Sequence, residues 1–402
     1  MEHVIRNARL RGRDGLWQIG LDGGNVAAIA AELPAGGDET DAGGRLVTES
    51  FVDCHIHLDK CHTGSQLAPA GTEMLQEAVE RTWEMKRNYR IPEILERAGR
   101  AIDDGLRYGT TAVRTFGDVD TIGGLTPVKA LLELREKYLG TVDIQVCAFP
   151  QEAIVRDPGT EDLLAEAMQL GADVVGGMPW FELSDEDSRR HVDICFEIAK
   201  RFDKPIHMLC DDTDDPMSRT LEYLALKTLR EGYAGRVASS HNGALSSYDH
   251  YHAARVIELC REAGVAIVSN PQISLVIDGR LDKPPVRRGI TRVRELVEAG
   301  VLVASAQDDI DDPYYPFGKP DQLEVASFMA HTAQLTKPHE LELVYDMVTV
   351  NPGKIMQLDG FPLEEGGRAD LVVVDAQDVH EAIRLQPARL AVFRGGRKVA
   401  GS

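Results

Sequence analysis

The stretch Phe51-Val52-Asp53-Cys54-His55-Ile56-His57-Leu58-Asp59-Lys60 decides how this chain is read. An apolar run ends in a His-x-His pair. Side chains alternate faces along a strand, so His55 and His57 project the same way. Two imidazoles aimed from a strand end into one space suit a divalent metal. A metal held there lowers the pKa of bound water to about 7 and makes hydroxide available at neutral pH.

Outward from this strand the chain repeats strand then helix. Strands are expected to end near His57, Thr115, Phe149, Pro179, Cys210, His241, Asn270 and Asp308. Helical periodicity covers Asp185 to Phe202 and Tyr251 to Ala263. Two helices stop at glycine and pass at once into an apolar strand, at Gly264-Val265 and Gly300-Val301. These repeats predict an α/β fold of the TIM (β/α)8 type. A doubly wound open sheet fits less well. No Gly-rich dinucleotide loop follows the first strand, and polar residues gather at the C-terminal ends of many different strands. Residues 1–47 and 357–402 read as short apolar segments broken by Gly and Asp, such as Leu16 to Gly24 and Ala369 to Asp375. They are expected to pair into one small β-sandwich beside a barrel spanning 48–356.

Composition narrows the classes. The chain has 402 residues, 43% hydrophobic and 27% charged, as an ordinary globular protein does. A net charge of −21 disfavours nucleic acid, anionic membranes and polyanionic substrates as partners. Six cysteines with no CxxC pairing read as reduced thiols of a cytoplasmic protein. No signal-peptide core opens the chain and no apolar run reaches the ~18 residues of a membrane span. The expected partner is a small molecule, and a homo-oligomer stays open.

Several other strand ends carry chemistry. Cys147-Ala148-Phe149 is followed by Pro150-Gln151-Glu152, and the Gln151 amide both donates and accepts, which suits the amide edge of a heterocycle. The fifth strand, Ile206-His207-Met208-Leu209-Cys210, places His207 and Leu209 on one face and leads into Asp211, Asp212, Asp214 and Asp215. That acidic run lacks the central Gly and the bidentate Glu of an EF-hand loop, so calcium is not expected. His241 closes the sixth strand, where it can polarise a substrate or orient a water. Asp308-Asp309 closes the eighth. A carboxylate there faces the same mouth as His55 and His57, where it can hold the metal and take a proton from its water.

Together these segments resemble the amidohydrolase superfamily, in its cytosine deaminase-like branch. The resemblance rests on His55 to Asp59, Phe149 to Glu152, Cys210 to Asp212 with Ser218-Arg219, and Ser240-His241. It extends to Gly279-Arg280, Arg287 to Val293, and Asp308-Asp309 through Pro313-Tyr314-Tyr315-Pro316. It implies a distorted (β/α)8 barrel with a small β-sandwich formed from both termini. It also implies His55, His57 and Asp308 as ligands of one divalent metal ion (Zn, Fe or Mn), Asp308 handling the water proton. His241 then helps polarise the attacked centre, Gln151 reads the heterocycle edge, and Asp309 makes a second substrate contact.

Three positions depart from the family pattern. Leu209 stands where the family has a metal-binding His on the fifth strand, and His207, two residues deeper on the same face, is the candidate replacement. Asp212 aligns with the family's proton-shuttling Glu. Tyr314 aligns with a Trp near the substrate. The implied activity is metal-dependent cleavage of a C–N bond, by deamination, in a small nitrogen-rich heterocycle. One alternative is hydrolysis of an N-alkylamino group or ring amide of a triazine- or hydantoin-like compound. Another, kept open by Leu209, is a relative that binds a ligand without turnover.

Overall fold

The computed structural model describes residues 1–64 and 75–401. Strands β1 (His3–Ala8), β2 (Trp17–Asp22), β3 (Asn25–Ala30) and β4 (Asp38–Asp41) form one sheet in the order β3-β2-β1-β4. Strand β5 (Leu46–Glu49) leaves it and joins β14 (Leu371–Val374), β15 (Arg389–Arg394) and β16 (Arg397–Ala400), in the order β16-β15-β14-β5. Between the two sheets lies a core of Ile5, Ile19, Leu21, Val47, Leu371, Val373 and Phe393, all buried. The termini therefore make a sandwich of their own. Alternation along β5 ties it to its neighbour, since Val47 packs in the sandwich core and Leu46 in the barrel core. The boundary expected after residue 47 thus falls inside a strand.

Eight parallel strands follow in sequence order: β6 (Phe51–Ile56), β7 (Thr110–Asp118), β8 (Asp143–Phe149), β9 (Val174–Gly177), β10 (Ile206–Cys210), β11 (Val237–His241), β12 (Ala266–Ser269) and β13 (Val303–Ser305). Each pairs with the next. The last meets the first only through a bridge between Ile56 and Asp308. There the His57 N–H donates to the Asp308 carbonyl and the Asp308 N–H to the His55 carbonyl, both at 2.9 Å. The result is a (β/α)8 barrel, distorted because one seam is narrow. The second strand runs to Asp118, past the expected Thr115, because Phe116 to Asp118 stay paired with β8. Pro179 belongs to a short 3₁₀ turn, Pro179–Phe181, beyond β9.

The helices end where their caps dictate. Asp185–Phe202 starts at Ser184, whose hydroxyl accepts from the Asp187 N–H. His250–Ala263 starts at Asp249, which accepts from the Tyr251 and His252 N–H groups. It stops at Gly264, whose left-handed φ of +65° lets the chain turn directly into β12. Among the described residues no helix is long and apolar enough to cross a membrane. All six cysteines are buried and unpaired.

Candidate active site

The site sits at the C-terminal mouth of the barrel. Alternation in β6 turns His55 and His57 inward, and their Nε2 atoms lie 3.3 Å apart. Asp308 reaches them across the seam, its Oδ1 3.1 Å from His55 Nε2 and 3.4 Å from His57 Nε2. The other oxygen, Oδ2, is 3.4 Å from His241 Nε2. His241 Nδ1 in turn lies 3.2 Å from Asp212 Oδ1. Asp308, three residues beyond β13, and His241, the last residue of β11, lie in the left-handed region, at φ +73° and +67°. Such backbone is costly for a residue with a Cβ and clusters at functional sites.

These groups are buried, yet Asp308 Oδ2, Asp212 Oδ1 and both ring nitrogens of His241 make no hydrogen bond. Buried polar atoms are nearly always satisfied, so the orphaned carboxylate oxygen of Asp308 calls for a partner that supplies positive charge. Burial lowers the pKa of His55 and His57 well below the usual value, which leaves both imidazoles neutral and able to ligate. For Asp308 burial raises the pKa to about 6, against the pull of His241. His241 moves the other way. Burial opposes its charge, but Asp212 and Asp308 outweigh burial and raise it to about 9. His55, His241 and Asp308 offer ligand atoms within 4.8 Å of one another, as do His57, Asp308 and Asp309. Two neutral nitrogens and a carboxylate suit a divalent ion such as zinc, iron or manganese.

His207 does not join them. Its Nε2 is 2.7 Å from Ser240 Oγ and its Nδ1 is 3.2 Å from Arg114 Nη1. Ser240 Oγ also lies 2.7 Å from His55 Nδ1. His207 therefore stands one shell behind the cluster, connected to His55 by a hydroxyl. Leu209, two residues along, faces the cavity beside the cluster. Asp211 and Asp212 have separate lives. Asp211 accepts from the Thr220 and Leu221 N–H groups and starts the helix Thr220–Glu231, whereas Asp212 opens onto the cavity.

Gln151, Asp309 and Tyr314 also line that cavity. Burial, then Asp308, pushes Asp309 up to about 8. Two walls differ in character. One is apolar: Val79, Met178, Phe181, Leu209, Ile273 and Ile277. The other carries Lys60, whose Nζ is 3.0 Å from Asp118 Oδ1, 3.2 Å from Gln151 Oε1 and 3.2 Å from His57 Nδ1. Behind it Lys86 reaches Asp118 at 2.7 Å and both Asp120 and Glu152 at 2.8 Å. Lys60 donates to the Gln151 oxygen and one amide N–H donates to Met178 Sδ at 3.5 Å, which leaves the other N–H for a ligand's acceptor edge. Lys60, Lys86 and Asp118 were not singled out by the sequence reading. A lysine three residues beyond His57, inside a buried segment, was the available signal for Lys60. Lys86 sits on a helix and pairs only through the fold.

A barrel whose first, sixth and eighth strands deliver histidines and an aspartate to one mouth is that of an amidohydrolase. The chain belongs to the amidohydrolase family, whose profile matches residues 68–400. It is 30% identical over 400 residues to the N-isopropylammelide isopropyl amidohydrolase of Pseudomonas sp. (strain ADP), covering 98% of this chain and 96% of that protein. It is 29% identical over 374 residues to the pterin deaminase of Rhizobium rhizogenes, covering 92% and 84%. In structure it matches the 5-methylcytosine deaminase of Klebsiella pneumoniae liganded with 5-fluorocytosine, with a TM-score of 0.94, 34% identity and coverage of 99% and 97%. These relatives are deaminases and amidohydrolases, and the chain is an enzyme of that class, a hydrolase of carbon–nitrogen bonds other than peptide bonds.

Proposed function

We propose that this enzyme hydrolyses an exocyclic C–N bond of a small nitrogen-rich heterocycle. It adds water across the bond, leaves a ring carbonyl and releases ammonia. The convergence of His55, His57, His241 and Asp308 around unsatisfied buried atoms carries the reading. Of these, His55, His57 and Asp308 would hold one divalent ion, zinc, iron or manganese, with His207 orienting His55 through Ser240. When bound, such an ion lowers the pKa of water toward neutrality and polarises the attacked carbon. Asp308 takes the proton of the attacking water. Asp212, 3.2 Å from His241, passes a proton to the departing nitrogen. His241 is held cationic between the two carboxylates and faces the charge that develops on the ring. Gln151, held by Lys60, donates to the ring's acceptor edge, Asp309 accepts from a ring N–H or donates as its acid, and Tyr314 covers the face. The low-dielectric cavity strengthens each of these contacts.

The relatives named for 5-methylcytosine, pterin and N-isopropylammelide support a heterocyclic substrate. The apolar wall of Leu209, Ile273 and Ile277 favours a second reading, in which the leaving group or ring bears an alkyl substituent and an alkylamine departs. A cytoplasmic location accords with six unpaired thiols. The test is a screen of purified enzyme for ammonia or amine release from aminopyrimidines, aminotriazines, N-alkylaminotriazines and pterins. Turnover of at least one, abolished by a chelator and restored by zinc, iron or manganese, is expected. Turnover that survives complete metal removal would overturn the reading.

A further inference from the structure

The opposite end of the barrel holds a second cavity, of about 180 Å³, under the N-terminal ends of β10 to β13. Its lining includes four cations, Arg114, Arg236, Arg261 and Lys354, and no carboxylate. That is unexpected in a chain of net charge −21. Arg236 and Arg261 share their charge with Asp203 and Glu258 at the surface. Arg114 has no such relief. It is 1% exposed, in the middle of β7. Its guanidinium donates to Gln145 Oε1 at 3.0 and 2.9 Å, to the Ile355 carbonyl at 3.0 Å and to His207 Nδ1 at 3.2 Å. All of these acceptors are neutral. They satisfy hydrogen bonds but not the charge, and a guanidinium does not shed its proton. A buried charge without a counter-ion is expensive, so the cavity beside it is where a counter-ion belongs.

We propose that this floor cavity binds a small oxyanion, inorganic phosphate, as the counter-ion of Arg114, with Arg236 and Lys354 closing over it. Four of the five Arg114 N–H groups are already used, so one N–H and the charge remain for the ion, and the volume holds such an ion with a few waters. The site is remote from the mouth. It stands at the head of the buried chain Arg114–His207–Ser240–His55 described above.

The test titrates inorganic phosphate into the metal-loaded enzyme at constant ionic strength, by calorimetry and by thermal unfolding. One saturable site per chain is expected, with Tm rising by about 2 °C at saturation. Arg114 is too deeply buried for its loss to be read cleanly. The double variant Arg236→Ala/Lys354→Ala changes only the rim, and should bind at least about 10-fold more weakly. Arg384→Ala, on the helix Val379–Leu385 and outside this cavity's lining, should bind as wild type does. Absence of a saturable site, an equal Tm rise from sodium chloride, or full binding by the double variant would each overturn the proposal. The last outcome would place the phosphate at the metal instead.

Discussion

Two buried polar clusters lie side by side at the barrel mouth, and they are built on opposite terms. In the cluster of Lys60, Lys86, Asp118, Asp120 and Glu152, every carboxylate has an ammonium within 3.0 Å. In the cluster of His55, His57, His241 and Asp308, two neutral imidazoles, His55 and His57, face a carboxylate whose Oδ2 makes no hydrogen bond. The first carries its own cations. The second is an incomplete shell that a cation would complete. Burial alone therefore does not mark a site, because both clusters are buried. What separates them is whether each carboxylate already has an ammonium beside it.

The comparison can be broken most forcefully at Lys86. Lys86→Met leaves Asp120 and Glu152 without their cation and should cost about 3–5 kcal/mol of stability, read as a large fall in Tm. Metal content per folded chain should stay at the wild-type level. A variant as stable as wild type would mean that the lysine cluster is not structurally committed.

Asp308→Asn attacks the other cluster and should behave in reverse. The kcat should fall by at least about 10²-fold and bound metal should be lost, because one group both ligates and takes a proton. The metal-free Tm should hold or rise, since a buried charge without a partner is removed. Measuring turnover, metal and Tm on the same preparations decides the point. Near wild-type kcat would remove Asp308 from the mechanism.

A smaller effect is expected one shell out. Ser240→Ala deprives His55 Nδ1 and His207 Nε2 of their shared hydroxyl and should weaken metal affinity about 10- to 100-fold, by chelator competition. Unchanged affinity would show that His207 and Ser240 only fill space.

The smallest effect provides a reference far from both clusters. Glu340 accepts from the Thr336 and Lys337 N–H groups at 2.8 Å and from Arg294 at 2.7 Å. The Lys337 N–H, then Arg294, hold its pKa down at about 2. Its contribution is complete above the usual glutamate range and fades as pH falls from 4.5 toward 2. The Tm gap between wild type and Glu340→Gln should therefore close over that window. A gap that is constant with pH would mean that shape, not charge, matters there.

Much of this was legible in the sequence because period and spacing report it directly. His55 and His57 share a face by alternation, and Asp308 faces them because β13 must close on β6. The strand ends at Phe149, Cys210 and His241 coincide with those in the structure. Fate on the fifth strand was not legible. His207 lies on the inward face as expected, but its ring nitrogens go to Ser240 and Arg114, which come from other strands. Local pattern fixes a side chain's direction and leaves its partner to the tertiary fold. Arg114 gave a signal that went unused, a lone charge inside Thr111-Ala112-Val113-Arg114-Thr115-Phe116. Lys86, on a helix before the second strand, gave none.

The seam between Ile56 and Asp308 also sets a timetable. Its two sides are about 250 residues apart, and contacts of such separation form after the local βα units. His55 and His57 are made early in synthesis, but their acidic partner comes from the last strand. A chain still emerging from the ribosome carries half of a cation pocket, too open to hold an ion tightly. A metal held from both sides of the seam would be captured only once the barrel shuts, so metal uptake during refolding would read out the final event of folding rather than its beginning.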